Sequence, residues 1–323
     1  MQYLIGTDEA GYGPNLGPLT ISVSVWRAPV GIDGEDLYRR LEDVIVRTPR
    51  EVAAAAMARL AVADSKKLYS PGKGLRHLER ALWAAMAVLG RRPETWSAVW
   101  DALDPEAGDR LQKIPWYADY DSPVPIDAER DELASLTAAL ADGLAAAGVE
   151  LIDLRSRAVF PEEFNDLLVH YGTKGAALSH LTLGLAARAI EPLGAAPVAV
   201  VCDKHGGRNR YAELLAEHFP DPLIEIHGEG RQRSIYRFGP SDRRIEFRFC
   251  TKAESYMPVA LASMASKYLR ELAMRAFNAF WSSHVPDLRP TAGYPADAKR
   301  FKRDIAAAQE QLGVAEEVLW RVK

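Results

Sequence analysis

An α/β fold is predicted for this chain of 323 residues by three observations. Short apolar runs of strand length alternate with longer stretches of helical periodicity. One of these runs, 197–202, is wholly apolar, as suits a central strand buried on both faces. Acidic residues stand at the ends of such runs, where open α/β sheets place their sites.

The elements follow in order. The apolar run 3–5 and the β-branched, alternating run 19–26 read as strand, sharp loop, strand, with Asp8 and Glu9 at the end of the first strand. Successive strand side chains point to opposite faces. The two acids are therefore expected to share a site only where the backbone bends, and Gly11 and Gly13 allow such a bend and a close ligand approach. An acidic hairpin loop is the alternative.

Residues 35–60 carry Leu37, Leu41, Val44 and Ile45 at helical spacing, and 61–68 hold the polar knot Asp64-Ser65-Lys66-Lys67. A second amphipathic helix is expected over 75–89. Between 93 and 126 the texture changes: Trp96, Trp100, Trp116, Tyr117 and Tyr120 stand among Pro and Asp, as in an insertion or cap. Helix is predicted at 131–147, strand at 149–154, and helices at 161–171 and 176–190. After the buried run come strands at 223–227, 234–238 and 244–249, then a long helix over 257–281 with Pro258 in its first turn. A last helix covers 297–312.

The composition, 48% hydrophobic and 26% charged, is that of a soluble globular protein. A net charge of -4 argues against wholesale coating of nucleic acid but leaves room for a local basic groove. The two cysteines, Cys202 and Cys250, form neither a metal-ligand spacing nor a disulfide framework, which points to a reducing, cytoplasmic setting. No signal peptide or membrane-spanning run is expected.

Four acids stand out. Asp203 follows the buried strand, where a structural salt bridge is the plainer role. Glu254 precedes the long helix, where it also suits the helix N-terminus. With Asp8 and Glu9 they form a set of carboxylates suited to hard cations, since Mg²⁺ prefers carboxylate, water and phosphate oxygens. A pair of such ions serves phosphodiester cleavage.

These residues sit in motifs that resemble the type 2 ribonucleases H. Asp8-Glu9-Ala10-Gly11, with Gly13-Pro14 and Gly17-Pro18, matches the family's first signature, and Asp64-Ser65-Lys66-Lys67-Leu68 its second. Cys202-Asp203 matches a third, the stretch from Glu254 to Lys267 loosely a fourth, and Gly293-Tyr294-Pro295 a fifth, all in the family's order. The resemblance implies an α/β ribonuclease H-like fold: a mixed central sheet flanked by helices, with inserted segments at about 94–126 and 204–249. Residues 1–255 would form the catalytic domain, and 256–323 a C-terminal helical region completing the substrate groove.

It also implies a two-metal site for Mg²⁺ or Mn²⁺ held by Asp8, Glu9, Asp203 and Glu254. Gly11, Tyr12 and Gly13 would lie against a ribose 2′-hydroxyl, the group that tells RNA from DNA. Tyr294 would stack on the neighbouring sugar, and Lys66 and Lys267 would meet phosphate. A solvated charge pair (Lys66 with Lys67) and a packed aromatic (Tyr294) are the plainer alternatives. The implied activity is an endonuclease that hydrolyses the RNA strand of RNA–DNA hybrids or cuts at ribonucleotides embedded in DNA. A same-fold nuclease for DNA or branched structures, and a non-catalytic nucleic-acid-binding protein, are the alternatives.

The chain departs from the pattern at Tyr12, where the family has Arg, at Glu254, where it has Asp, and in its long link between the third and fourth acids. In that link Lys204, Arg208 and Arg210 follow Asp203 and are candidate substrate contacts, whereas Arg237 and Arg248 suit a salt-bridged hairpin. From 267 to 303, Lys267, Arg270, Arg275, Arg289, Lys299, Arg300, Lys302 and Arg303 outnumber the acids. They form a second candidate face for a nucleic-acid backbone, or a solvated helix face.

Overall fold

A computed structural model describes residues 1–53, 58–70 and 72–322. Its centre is a seven-stranded mixed sheet of β1 (Gln2–Ala10), β2 (Leu19–Ala28), β5 (Glu150–Val159), β6 (Val198–Asp203), β7 (Glu225–Glu229), β8 (Arg233–Phe238) and β9 (Ile245–Cys250). The two short strands β3 (Ile45–Val46) and β4 (Leu60–Ala61) pair separately. The order across the main sheet is β5-β2-β1-β6-β9-β8-β7. The β5-β2-β1 side is antiparallel, β1-β6-β9 is parallel, and β9-β8-β7 returns to antiparallel. This is the mixed sheet flanked by helices that the sequence predicts.

Helices cover both faces. On one, Met257–His284 packs across β1 and β2 and shares a core with Arg76–Val88 and Arg130–Ala147. On the other, Pro161–Tyr171, Lys174–Ile190 and Ala212–His218 pack over Ile5, Ile21, Val23 and Val200. Strand alternation divides β1 between the cores, with Leu4 in the first and Ile5 in the second. Gly6 faces the long helix at a distance no side chain permits: a Cβ there would stand 2.1 Å from the Val259 nitrogen.

β2 is buried along its length, including Thr20, Ser22 and Ser24. Buried hydroxyls require partners, and the long helix supplies them. Ser24 Oγ donates to the Pro258 carbonyl at 2.7 Å and Thr20 Oγ1 to that of Ser266 at 2.7 Å. Ser266 Oγ donates to the Asp8 carbonyl at 2.9 Å. A row of small polar residues thus seats the helix against the strand that carries the first acids.

Two sequence expectations differ from the structure. The helix expected over 35–60 is instead Asp36–Arg40, β3 and Pro49–Ala53; its part at 54–57 lies outside the described residues. The contiguous Val44-Ile45-Val46 favours a strand, and Pro49 suits the start of a helix but not the interior of a long one. The Trp-rich stretch, expected as an insertion or cap, packs onto the long helix. Trp96 Nε1 donates to the Leu272 carbonyl at 3.1 Å, and Trp116 packs edge-on against Phe277 with centroids 5.1 Å apart. Finally, β1 runs through Asp8 and Glu9 to Ala10 without a register break, because β2 pairs with it throughout. The two acids therefore leave the strand on opposite faces, without the expected bend.

Candidate functional site

The parallel pair β1 and β6 ends on one edge of the sheet, and Asp8, Glu9 and Asp203 stand there. Asp8 is almost wholly buried on the face of the long helix, where Ser263 hydrogen-bonds its side chain. Asp203 accepts backbone N–H bonds from Ala253 and Lys204, which ties the end of β6 to the 3₁₀ turn Ala253–Ser255 carrying Glu254. The sequence between the acids is long, but this turn returns the fourth carboxylate to the first three.

The four acids feel one another. Burial pushes the Asp8 carboxyl well above the usual range, and Glu9, Glu254 and Asp203 push it further against the opposing Ser263 bond. Glu9 is raised to about 7, first by burial and then by Asp203, with Lys66 opposing. Asp203 is raised by burial and by Glu254. Burial alone would lower the Lys66 ammonium, but Asp64, Asp8, Glu254 and Asp203 together raise it. Lys66 occupies the short turn Ser65–Leu68, capped by Asp64 and seated on the long helix through the Ser263 and Ser65 hydroxyls at 3.1 Å.

As placed, no group of three or more His, Cys, Asp or Glu side chains among the described residues stands close enough to hold a metal ion. The donor chemistry nonetheless fits a hard divalent cation. All four groups are carboxylates, burial and neighbouring acids hold Asp8, Glu9 and Asp203 above their ordinary pKa, and Lys66 opposes this at Glu9 and Asp203.

The loop after β1 is fixed from behind. Gly11 has φ +89, and a Cβ there would meet the Pro18 carbonyl oxygen at 2.5 Å, so only glycine fits. At Gly13 a Cβ would meet nothing within 4 Å: this glycine faces open space. Two buried arginines hold the loop by its carbonyls. Arg270, 3% exposed, donates to Pro18 at 2.7 Å, Leu16 at 3.2 Å and Ala292 at 3.0 Å. Arg321, fully buried, donates to Gly11 at 2.7 Å and also to Pro14. Asn15 Nδ2 donates to the Arg321 carbonyl at 2.8 Å, and Arg321 N–H to the Asn15 carbonyl at 2.8 Å.

The other sequence candidates are distributed as follows. The Tyr12 hydroxyl leans towards Gly206, where a Cβ would come within 3.2 Å of it; between them opens a cavity of about 500 Å³ lined also by Lys174, His205 and Arg208. Tyr294 is 55% exposed, next to Gly293, whose carbonyl accepts the Asn15 N–H at 2.8 Å. Arg210 is exposed and lies 3.7 Å from Glu229.

Two expected phosphate contacts are committed elsewhere. Lys204 Nζ lies within hydrogen-bond distance of the Arg208 and Gly230 carbonyls, Asn209 Oδ1 and Ser234 Oγ. It pins one loop to another. Lys267 pairs with Glu271 at 2.5 Å and lies over the Tyr69 ring. Arg270, expected on an exposed basic face, is the buried clamp just described. Arg237 and Arg248 both pair with Glu246, the salt-bridged alternative. Sequence reasoning did not find Asn15, Ser263 or Arg321. Arg270 was visible only as one of three Lys or Arg residues in its helix, with nothing to mark it as buried; Arg321 offered no signal.

Neither the protein-family models nor the curated proteins contain a match to this chain. Solved structures do. Ribonuclease HII of Archaeoglobus fulgidus, in a complex with PCNA, matches at 15% identity and a TM-score of 0.46 over 99% of this chain and 94% of its own. Ribonuclease H2 of Pyrococcus horikoshii matches at 17% identity and a TM-score of 0.41, covering 98% and 92%. A Bst ribonuclease HIII in complex with Mn²⁺ matches at 14% identity and a TM-score of 0.41, covering 99% and 66%. All three similar structures are ribonucleases H. No helix among the described residues is long and apolar enough to cross a membrane.

Proposed function

We propose that this protein is a divalent-metal-dependent endonuclease of the ribonuclease H type, cutting next to ribonucleotides in RNA–DNA hybrids or in DNA. The observation that carries the reading is the placing of four carboxylates, Asp8 and Glu9 on β1, Asp203 at the end of the adjacent β6 and Glu254 in the turn after β9, where they repel one another. Such mutual repulsion costs stability, and groups with perturbed pKa cluster at functional sites. When bound, divalent cations supply Lewis acidity towards the phosphoryl oxygens. The rest is the protein's own contribution.

The carboxylates would hold the cations, with Asp203 oriented by the Ala253 and Lys204 amides and Asp8 by Ser263. Lys66 would meet a phosphate oxygen beside them. The open face at Gly13 leaves room for a sugar against the backbone, where a 2′-hydroxyl can be read. Tyr12 and the exposed Tyr294 would border that sugar.

The test is cleavage, with Mg²⁺ and with Mn²⁺, of an RNA–DNA hybrid, a DNA duplex with one ribonucleotide and an all-DNA duplex. Ribose-dependent cutting is expected, reduced roughly a hundred- to a thousandfold in Asp203→Asn. Equal cutting of the all-DNA duplex would overturn the substrate assignment. Full activity in a folded Asp203→Asn would overturn the site.

A further inference from the structure

The segment between β6 and the turn of Glu254 does more than connect them. It adds β7 and β8 beyond β9, so the sheet continues past the acids. Register places Asp203 beside Cys250, and Cys250 beside Arg233. Paired residues on adjacent strands point to the same face, and each step across a sheet is about 4.8 Å, so the Arg233 backbone stands roughly 10 Å from that of Asp203 on the same face.

Arg233 has company. Arg231 is two residues earlier at the hairpin tip, and Lys252 follows β9 two residues before Glu254, held at φ 60. All three side chains are exposed, and none makes an ion pair among the described residues. With Gly230, Thr251 and Tyr256 they line an open depression of about 750 Å³; its one acidic side chain, Glu35, accepts a hydrogen bond from Ser255 at 2.8 Å. This contrasts with the opposite end of the hairpin, where Arg237 and Arg244 are both paired with acids.

The tip is anchored to the site. Lys204 Nζ, directly after Asp203, reaches the Gly230 carbonyl at 2.8 Å, and the Thr251 N–H donates to the Gln232 carbonyl at 2.9 Å. Three unpaired cations on an anchored tip, with no apolar patch between them, suit a polyanion read by charge.

We propose that Arg231, Arg233 and Lys252 form a surface for the phosphate backbone of a nucleic-acid duplex, on the β8 side of the acid cluster. At about 3.4 Å of duplex per nucleotide, the 10 Å offset reaches roughly three nucleotides from a bond held at the acids. The surface reads charge and no bases, so it adds affinity and substrate length without sequence preference. It rests on the nucleic-acid reading above, and it is independent of whether the acids cut.

The experiment is a salt titration of binding to a fluorescent RNA–DNA hybrid in the absence of divalent metal, with cleavage measured separately. Wild type is compared with Arg231→Ala/Arg233→Ala/Lys252→Ala and with Arg237→Ala/Arg244→Ala, after thermal melts show that both variants fold. Each lost phosphate contact lowers the slope of log affinity against log salt by roughly one. The triple variant is therefore expected to lose about two to three from that slope and to bind at least about tenfold more weakly at low salt, with an unchanged kcat at saturation. The double variant is expected to keep the wild-type slope. Unchanged slope and affinity in a folded triple variant would overturn the proposal while leaving the nuclease reading intact. Wild type that binds with the expected dependence on these residues but cuts nothing would overturn the nuclease reading and support the surface. Wild type that binds no nucleic acid would overturn both.

Discussion

Glu9 shows at the scale of one residue how a site works against its own fold. Its carboxyl is raised from 4.5 to about 7 by burial and by Asp203. A carboxyl raised in the folded state favours folding most below its unfolded pKa, and that contribution is lost as pH rises through the folded value. In chelator-treated protein, Glu9→Gln is therefore expected to melt higher than wild type at pH 8, by an amount on the order of 2 kcal/mol, and to match it near pH 4. Melting curves across that window check this; a variant no more stable than wild type at pH 8 would contradict it. Added Mg²⁺ or Mn²⁺ should close the gap by stabilising wild type. Carboxylates at strand ends are common, so the four acids could be singled out in the sequence only through the motifs that hold them. Their spacing along the chain was not enough to show how they meet. The expected bend between Asp8 and Glu9 is absent, and both acids stand towards the end of β1, beside the end of β6 that carries Asp203.

Among the elements, the long helix Met257–His284 does most to place the site. It presses on Gly6, accepts the hydroxyls of Ser24 and Thr20, and lends Ser263 and Ser266 to Asp8. Gly6→Ala would drive a methyl group into the backbone of its first turn, where no side chain can give way. The expected cost is roughly 2–3 kcal/mol in denaturant unfolding, with activity reduced further because the turn of Glu254 leads into this helix. Stability within about 0.5 kcal/mol of wild type would show that the helix is less firmly seated than its contacts imply. Helices and strands with clean periodicity, such as Pro161–Tyr171 and β9, were legible from pattern alone. The segment 35–60 was not, because its apolar spacing suits a helix while its β-branched run and Pro49 do not. Ala212–His218 escaped notice because only one turn of it is buried.

Over the whole molecule, the loop that follows the first strand is completed by residues more than 300 positions away. Arg321 holds Gly11 and Pro14, Asn15 bonds the Arg321 backbone through both its side chain and its carbonyl, and Asn165 Nδ2 donates to the Trp320 carbonyl at 2.9 Å. Arg321→Ala is expected to cost about 2–4 kcal/mol, since it unmakes buried hydrogen bonds and leaves a cavity. Its kcat on ribonucleotide substrates should fall more than its affinity for them, and Arg321→Lys should restore part of both. Wild-type kcat in Arg321→Ala would show that the loop holds its shape unaided. No local pattern marked Arg321, because its role depends on a contact that only the finished topology makes. The timing of synthesis follows from this. A chain emerging from the ribosome makes this loop more than 300 residues before the arginine that braces it. The loop should stay unbraced until Arg321 has been made and has left the ribosome.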